Sequence, residues 1–125
     1  MSAEETGKQL VNLCSQGKFL DAVNSLYARN IVSIEPMGGE GMPAKMEGIE
    51  AIRGKNQWWA DNHEVHSMKV EGPFVGNRKD QFAARFEIDV TNKPSGQRMQ
   101  MTEVALYTLN RNGKIKQEEF LYRAR

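Results

Sequence analysis

From Glu64 onward the chain repeats one arrangement: a run of residues alternating apolar and polar, then a connection of four or five residues ("GNRKD", "NKPSG", "NRNG"). The period of two predicts strands at roughly 65–75, 81–91, 97–109 and 114–123. Links this short can join only antiparallel neighbours, because a parallel return needs a crossover of a dozen residues or more. Half of the molecule is therefore an antiparallel meander. Its strands are two-faced: in "FAARFEIDV", Phe82, Ala84, Phe86, Ile88 and Val90 form one side, and Arg85, Glu87 and Asp89 the other. A sheet with one apolar face needs a cover.

The first half supplies it. Ser2 and Glu5 make a capping-box pattern ahead of Leu10, Leu13 and Cys14 at helical spacing, with Gly17 as the stop. Phe19, Val23, Leu26 and Tyr27 fall on one face of a second, shorter helix. Ile31 to Glu35 reads as a strand, stopped by Pro36 and the glycines at 38, 39 and 41. The stretch from Pro36 to Gly48 reads as a flexible loop, and Ile49, Ile52, Asn56 and Trp59 mark a third helix ending near Asp61 or Asn62. The expectation is one α+β domain over residues 1–125.

Several function classes are disfavoured. Seventeen basic and 16 acidic residues are spread along the whole chain, giving a net charge of +1 and no basic stripe for nucleic acid. Apolar runs fall far short of the roughly 18 residues of a membrane span. The start "MSAEETGKQL" has neither a basic region nor an apolar one, so the expected location is cytoplasmic, with no membrane partner. The single cysteine, Cys14, can form no internal disulfide. In "WWADNHEVH", His63 and His66 straddle a helix-to-strand junction without zincin spacing, so no metal site is expected. The glycines at 38, 39 and 41 are not followed by a lysine and a serine or threonine opening a helix; they read as a pocket lip rather than a phosphate loop.

The functional signal lies in carboxylates on apolar faces. Glu35 ends an apolar strand directly before a proline, where a pairing with Arg53 or a lysine is the plain structural alternative. Glu103 sits among Met99, Met101, Ala105, Tyr107 and Leu109 on one side of "MQMTEVALYTL". In "IKQEEFLY" either Glu118 or Glu119 keeps apolar company, whichever way the strand is turned. An ionised carboxylate in such surroundings must find a partner, keep its proton or line a wet cavity. Glu35, Glu103 and one of the pair are candidates to converge on one concave, largely apolar pocket.

The element order, with "LYARNIVSIEP", "GIEAIRGKNQWW" and "NRNGKIKQEEFLY", resembles the SnoaL-like and ketosteroid isomerase-like members of the nuclear transport factor 2 superfamily over nearly the whole chain. The resemblance implies a cone-shaped half-open barrel: three N-terminal helices packed in a strongly curved, mixed but mostly antiparallel sheet. It implies Glu35 as the base that takes a proton α to a carbonyl, and Glu103 as a neutral acid donating to the enolate oxygen. It turns Glu118 rather than Glu119 inward with Phe120 and Tyr122, and makes Trp58, Phe82, Phe86 and Met101 further pocket wall. Leu10 stands where the isomerases carry a tyrosine as second oxyanion donor; Tyr107, Tyr122 or Trp58 are the available substitutes. An inward aspartate–arginine–aspartate set, as for epoxide hydrolysis, is not favoured, since Arg85 and Asp89 share the polar face. The implied partner is a small apolar carbonyl compound, with no cofactor, in a homodimer formed through the Arg85, Glu87 and Asp89 face. The alternative is a non-catalytic ligand-binding or dimeric interaction module, because this fold carries many functions.

Overall fold

The structure, a computed structural model, describes residues 2–39 and 41–123. Helix α1 (Ala3–Ser15) starts on the expected capping box: the Glu5 amide donates to Ser2 Oγ at 3.1 Å and the Ser2 amide to Glu5 Oε1 at 3.3 Å. There follow α2 (Phe19–Leu26), β1 (Tyr27–Ile34), β2 (Lys45–Glu47), α3 (Ile49–Asn62), β3 (His63–Phe74), β4 (Gln81–Asn92), β5 (Arg98–Leu109) and β6 (Ile115–Leu121). The six strands form one sheet in the order β2-β1-β6-β5-β4-β3, with β2 and β3 as edges, so the sheet does not close on itself. Strands β3 to β6 are the expected antiparallel meander, and β1 lies parallel to β6. No helix among the described residues is long and apolar enough to cross a membrane.

Two expectations about the first half are corrected. Tyr27 is not on the second helix: its backbone is extended (φ −91°, ψ 142°), and it opens β1 four residues before Ile31. The stretch from Pro36 to Gly48 is not loop throughout, because Lys45–Glu47 pairs antiparallel with β1 and the Glu35 amide donates to Ala44 O at 2.8 Å. Three residues along one edge carry too little alternation to register as a strand in sequence.

The inner face of β4 is buried along its length, from Phe82 through Ala84, Phe86 and Ile88 to Val90, and in register it meets Tyr107, Ala105, Glu103, Met101 and Met99 of β5. Helix α1 covers one end. It comes so close that a Cβ on Gly7 would stand 2.5 Å from the Pro73 side chain. Under that contact Phe82 stacks on Tyr107 with ring centroids 4.8 Å apart, and Leu10 is fully buried. On the opposite face Arg85 bridges Glu71 (2.8 Å) and Glu87 (2.9 Å), while Arg98 pairs with Asp89 (2.8 Å).

Candidate functional site

Beyond the end that α1 covers, the same inner face borders a cavity of about 900 Å³, bounded also by α2, α3 and the segment between β1 and β2. Its wall is mostly apolar and thioether-rich: Met37, Met42, Met46, Met68, Met99 and Met101 all line it, which is every methionine among the described residues. Unbranched thioethers make such a wall deformable.

Four acids border this space: Asp21, exposed on α2, and three others in different states. Glu35 projects from the end of β1, where alternation puts Ile31, Ser33 and Glu35 on one side of the chain. Both of its oxygens are occupied: Lys55 Nζ lies 2.5 Å from Oε2, and the Tyr122 hydroxyl donates to Oε1 at 2.7 Å. Burial, and after it the hydrogen bond to Glu35, holds the Tyr122 phenol above its ordinary value. The Lys55 ammonium also donates to Ser33 Oγ at 3.1 Å and stands 5.1 Å from the centre of the Phe120 ring.

Glu118 is the deepest of the three, at 2% exposure. Its carboxyl accepts from the Tyr27 hydroxyl and, at 2.8 Å, from Ser33 Oγ. Burial raises its pKa, against the pull of those two donors and of Lys55. Tyr27, Tyr107 and Cys14 all stand above their ordinary values for the same reasons, burial first and Glu118 second, with the Cys14 thiol pushed up to about 12. A continuous chain thus runs Tyr122–Glu35–Lys55–Ser33–Glu118–Tyr27, in which each side chain bonds to the next.

Glu103, across β5, belongs to no such chain. Among the described residues it has no hydrogen-bond or ion-pair partner. Burial, with the Glu35 charge next, pushes its pKa up to about 7, and Lys55 opposes the shift only in part. The result is a carboxyl with both oxygens unclaimed by the described residues, on the wall of a mostly apolar cavity.

Of the residues named from sequence, Glu35, Glu103, Glu118, Trp58, Phe86, Met101, Phe120 and Tyr122 border this one cavity. Phe82 does not: it is wedged against Tyr107 beneath α1, and is core rather than pocket wall. Helix α1 reaches the cavity with Cys14, and Leu10 lies in the packed core. Glu118 points inward and Glu119 does not line the cavity; Glu118 makes hydrogen bonds rather than a cross-strand ion pair. The partner of Glu35 is Lys55; Arg53 turns to Glu50 and Asn24 instead.

Sequence reasoning missed Tyr27, Ser33 and Lys55. Lys55 lies three residues after the buried Ile52, on the stripe of Ile52, Asn56 and Trp59, so a charge on an apolar helix face was there to find. Ser33 alternates with Ile31 and Glu35 and was equally open to notice. Tyr27 sits at a helix-to-strand junction, where neither period assigns a direction. No group of three or more His, Cys, Asp and Glu side chains among the described residues could hold a metal ion.

The family model of the SnoaL-like domain matches residues 1–122. Among solved structures, a Mesorhizobium loti protein named both as a SnoaL-like polyketide cyclase and as a carbohydrate phosphatase is 47% identical, with 98% of this chain and 100% of that one covered and a TM-score of 0.88. RV0760c of Mycobacterium tuberculosis, in complex with estradiol-17β-hemisuccinate, is 16% identical (98% and 95% covered, TM-score 0.77). The epoxide hydrolase/cyclase-like enzyme SalBIII, of pyran ring formation in salinomycin, is 19% identical (93% and 86% covered, TM-score 0.70). At those two identities the likeness is one of fold. A comparison with curated proteins finds no match.

Proposed function

Because this chain belongs to the SnoaL-like family, we propose that it is an isomerase- or cyclase-type enzyme that moves a proton α to the carbonyl of a small, mostly apolar molecule. The observation that carries this reading is Glu103: an unclaimed carboxyl, with its pKa raised to about 7, in the same cavity as an ionised, ion-paired Glu35. An acid of that kind donates a hydrogen bond to a carbonyl oxygen and strengthens the bond as enolate charge develops there. The α-proton passes to Glu35, leaving the enolate against Glu103; returning the proton to another carbon isomerises the substrate, and attack of the enolate carbon on a second carbonyl cyclises it.

The Lys55 pairing limits this chemistry. Lys55, 2.5 Å from one oxygen, and the Tyr122 hydroxyl on the other already engage Glu35, so taking a proton there means giving up part of that pairing. The substrate that suits it has an α-proton already acidified, as between two carbonyls. The test is the enolisation rate of 2-acetyl-1-tetralone, an apolar 1,3-dicarbonyl probe, followed by enol absorbance. Wild type should exceed buffer, Glu35→Gln should fall to the buffer rate, and Glu103→Leu should lose about a hundred- to a thousandfold. Equal rates in all three proteins would sink the assignment.

One observation favours a binding module without turnover. The hydroxyls of Tyr27 and Tyr122 already donate to Glu118 and Glu35, and Leu10 is buried outside the cavity, which of the substitutes named from sequence leaves only Tyr107 and Trp58 on the cavity wall as second donors beside Glu103. That alternative expects the diketone to bind, with no rate above buffer. Under either reading we expect a homodimer through the outer sheet face. The paired charges of Arg85, Glu87 and Asp89 lie on it, with the exposed side chains of Phe74 and Leu121 set opposite Ala83 and Val104 of that face. Sedimentation equilibrium returning a monomer mass at every concentration would end that expectation.

A further inference from the structure

Next to the main cavity lies a second, smaller chamber of about 390 Å³, between the turn that follows α1, the end of α3 and the start of β3. Gly17, Phe19, Trp59, Ala60, His63 and Met68 border both spaces. His63 is thus a titratable side chain at their junction, and the chemistry above makes no use of it.

Its geometry is fixed from several directions. Nδ1 lies 2.8 Å from the Trp59 carbonyl oxygen, which can only accept, so Nδ1 carries the hydrogen. The neutral ring therefore presents its lone pair at Nε2. The imidazole stacks on the Trp59 indole, with centroids 4.5 Å apart and planes 13° from parallel, and it meets Trp58 edge-on at 5.9 Å. Those contacts stop the ring from turning. Among the described residues Nε2 has no partner. The chamber wall is apolar on one side, where Phe19 meets Trp59 edge-on at 6.2 Å beside Met68 and Val65, and polar on the other, where Ser15 and Gln16 border it.

We propose that His63, held by Trp59, is a second ligand subsite for a planar aromatic ring bearing a hydroxyl, whose O–H donates to Nε2. The inference rests on the reading that the main cavity holds a small apolar molecule. It adds that this molecule, or one end of it, carries a hydrogen-bond donor. The two ends of the bound molecule then meet opposite chemistry: Glu103 donates to an acceptor, and His63 accepts from a donor. A ring lying along the Trp59 and Phe19 surfaces gains offset or edge contacts in either chamber.

The experiment uses two probes of nearly equal shape, 2-naphthol and 2-methoxynaphthalene, titrated against wild type, His63→Phe and Glu103→Leu by calorimetry. The methoxy compound is the more apolar, so burial alone favours it. Wild type should instead bind 2-naphthol about fivefold tighter, the size of one neutral hydrogen bond. His63→Phe keeps an aromatic ring against Trp59 and should abolish that preference; Glu103→Leu should retain the preference. A preference that survives in His63→Phe, or is absent from wild type, overturns the subsite. Loss of the preference in Glu103→Leu alone also overturns it, by placing the hydroxyl at the acid. None of these outcomes depends on turnover, so failure of the enolisation test leaves this one readable. As a check that needs no variant, the Nε2 resonance of ¹⁵N-labelled wild type should move on adding 2-naphthol and stay put with the methoxy compound. An unmoved resonance with naphthol bound overturns the proposal.

Discussion

Strands β4 and β5 run side by side for eleven paired positions, yet the two ends of their inner face have opposite fates. At one end Phe82 faces Tyr107 and Ala84 faces Ala105; α1 closes over them, and Phe82, Ala84, Ala105 and Tyr107 are all at or below 2% exposure. At the other end Phe86 faces Glu103 and Ile88 faces Met101, and the same face borders the cavity of about 900 Å³. Apolar alternation is continuous across both. It states that a face is turned away from water, and does not state whether anything fills the space. Glu103 marks the difference: in the filled half a carboxylate without a partner would cost several kcal/mol, whereas a cavity leaves it room to keep its proton or bind a ligand.

The contrast breaks first at its aromatic residues. Phe82→Ala should cost about 3–5 kcal/mol of unfolding free energy, because a stacked ring under α1 leaves a void that the sheet cannot collapse into. Phe86→Ala lies on the cavity wall, with packing on one side only, so its cost should be about 1–2 kcal/mol. Urea denaturation of both variants decides the matter; equal costs would mean that the two halves are packed alike.

A second pair of substitutions compares acids within the hollow half. Glu118→Ala takes the acceptor from two buried donors, Tyr27 and Ser33, and should destabilise by about 2–3 kcal/mol. Glu118→Gln keeps an acceptor for Tyr27 and should cost less than the alanine change. Glu103→Leu removes no hydrogen bond and should be neutral, or stabilise by about 1 kcal/mol. Were Glu103→Leu as damaging as Glu118→Ala, Glu103 would be a structural acid and the proposed chemistry would lose its donor.

Legibility followed the same division. The meander, its turns, the capping box and the third helix were readable, since alternation, caps and short connections are local signals, and the strand ends expected from Glu64 onward all fall within two residues of those observed. The candidate acids were readable as charges on apolar faces. Phe82 and Phe86, four residues apart on the same apolar face, could not be told apart, because what separates them is where α1 stops covering the sheet. The β1–β6 pairing was likewise hidden: it is a parallel contact between residues about 85 apart, and it alone brings Ser33 opposite Glu118 and Ile34 opposite Glu119. Lys55 was visible as an anomaly on its helix but not as the partner of Glu35, since that requires knowing where β1 lies relative to α3.

The last expected effect is the most specific. Glu103 stands at about 7 in the folded chain against an ordinary value of 4.5, so between those values the native state holds a proton that the unfolded chain has released. Stability linked to this group therefore falls as pH rises from 4.5 to 7, is unaffected by it below 4.5, and stays at the lower level above 7. Glu118 is shifted in the same direction and contributes a slope of the same sign, so the wild-type profile alone does not isolate Glu103. The difference between Glu103→Gln and wild type does. Measured by thermal melting from pH 4.5 to 8, the variant's advantage should grow by a few degrees through that window and level off near neutrality. A difference independent of pH would place the Glu103 carboxyl in water, and the hollow half of the sheet would then hold no proton to give to a ligand.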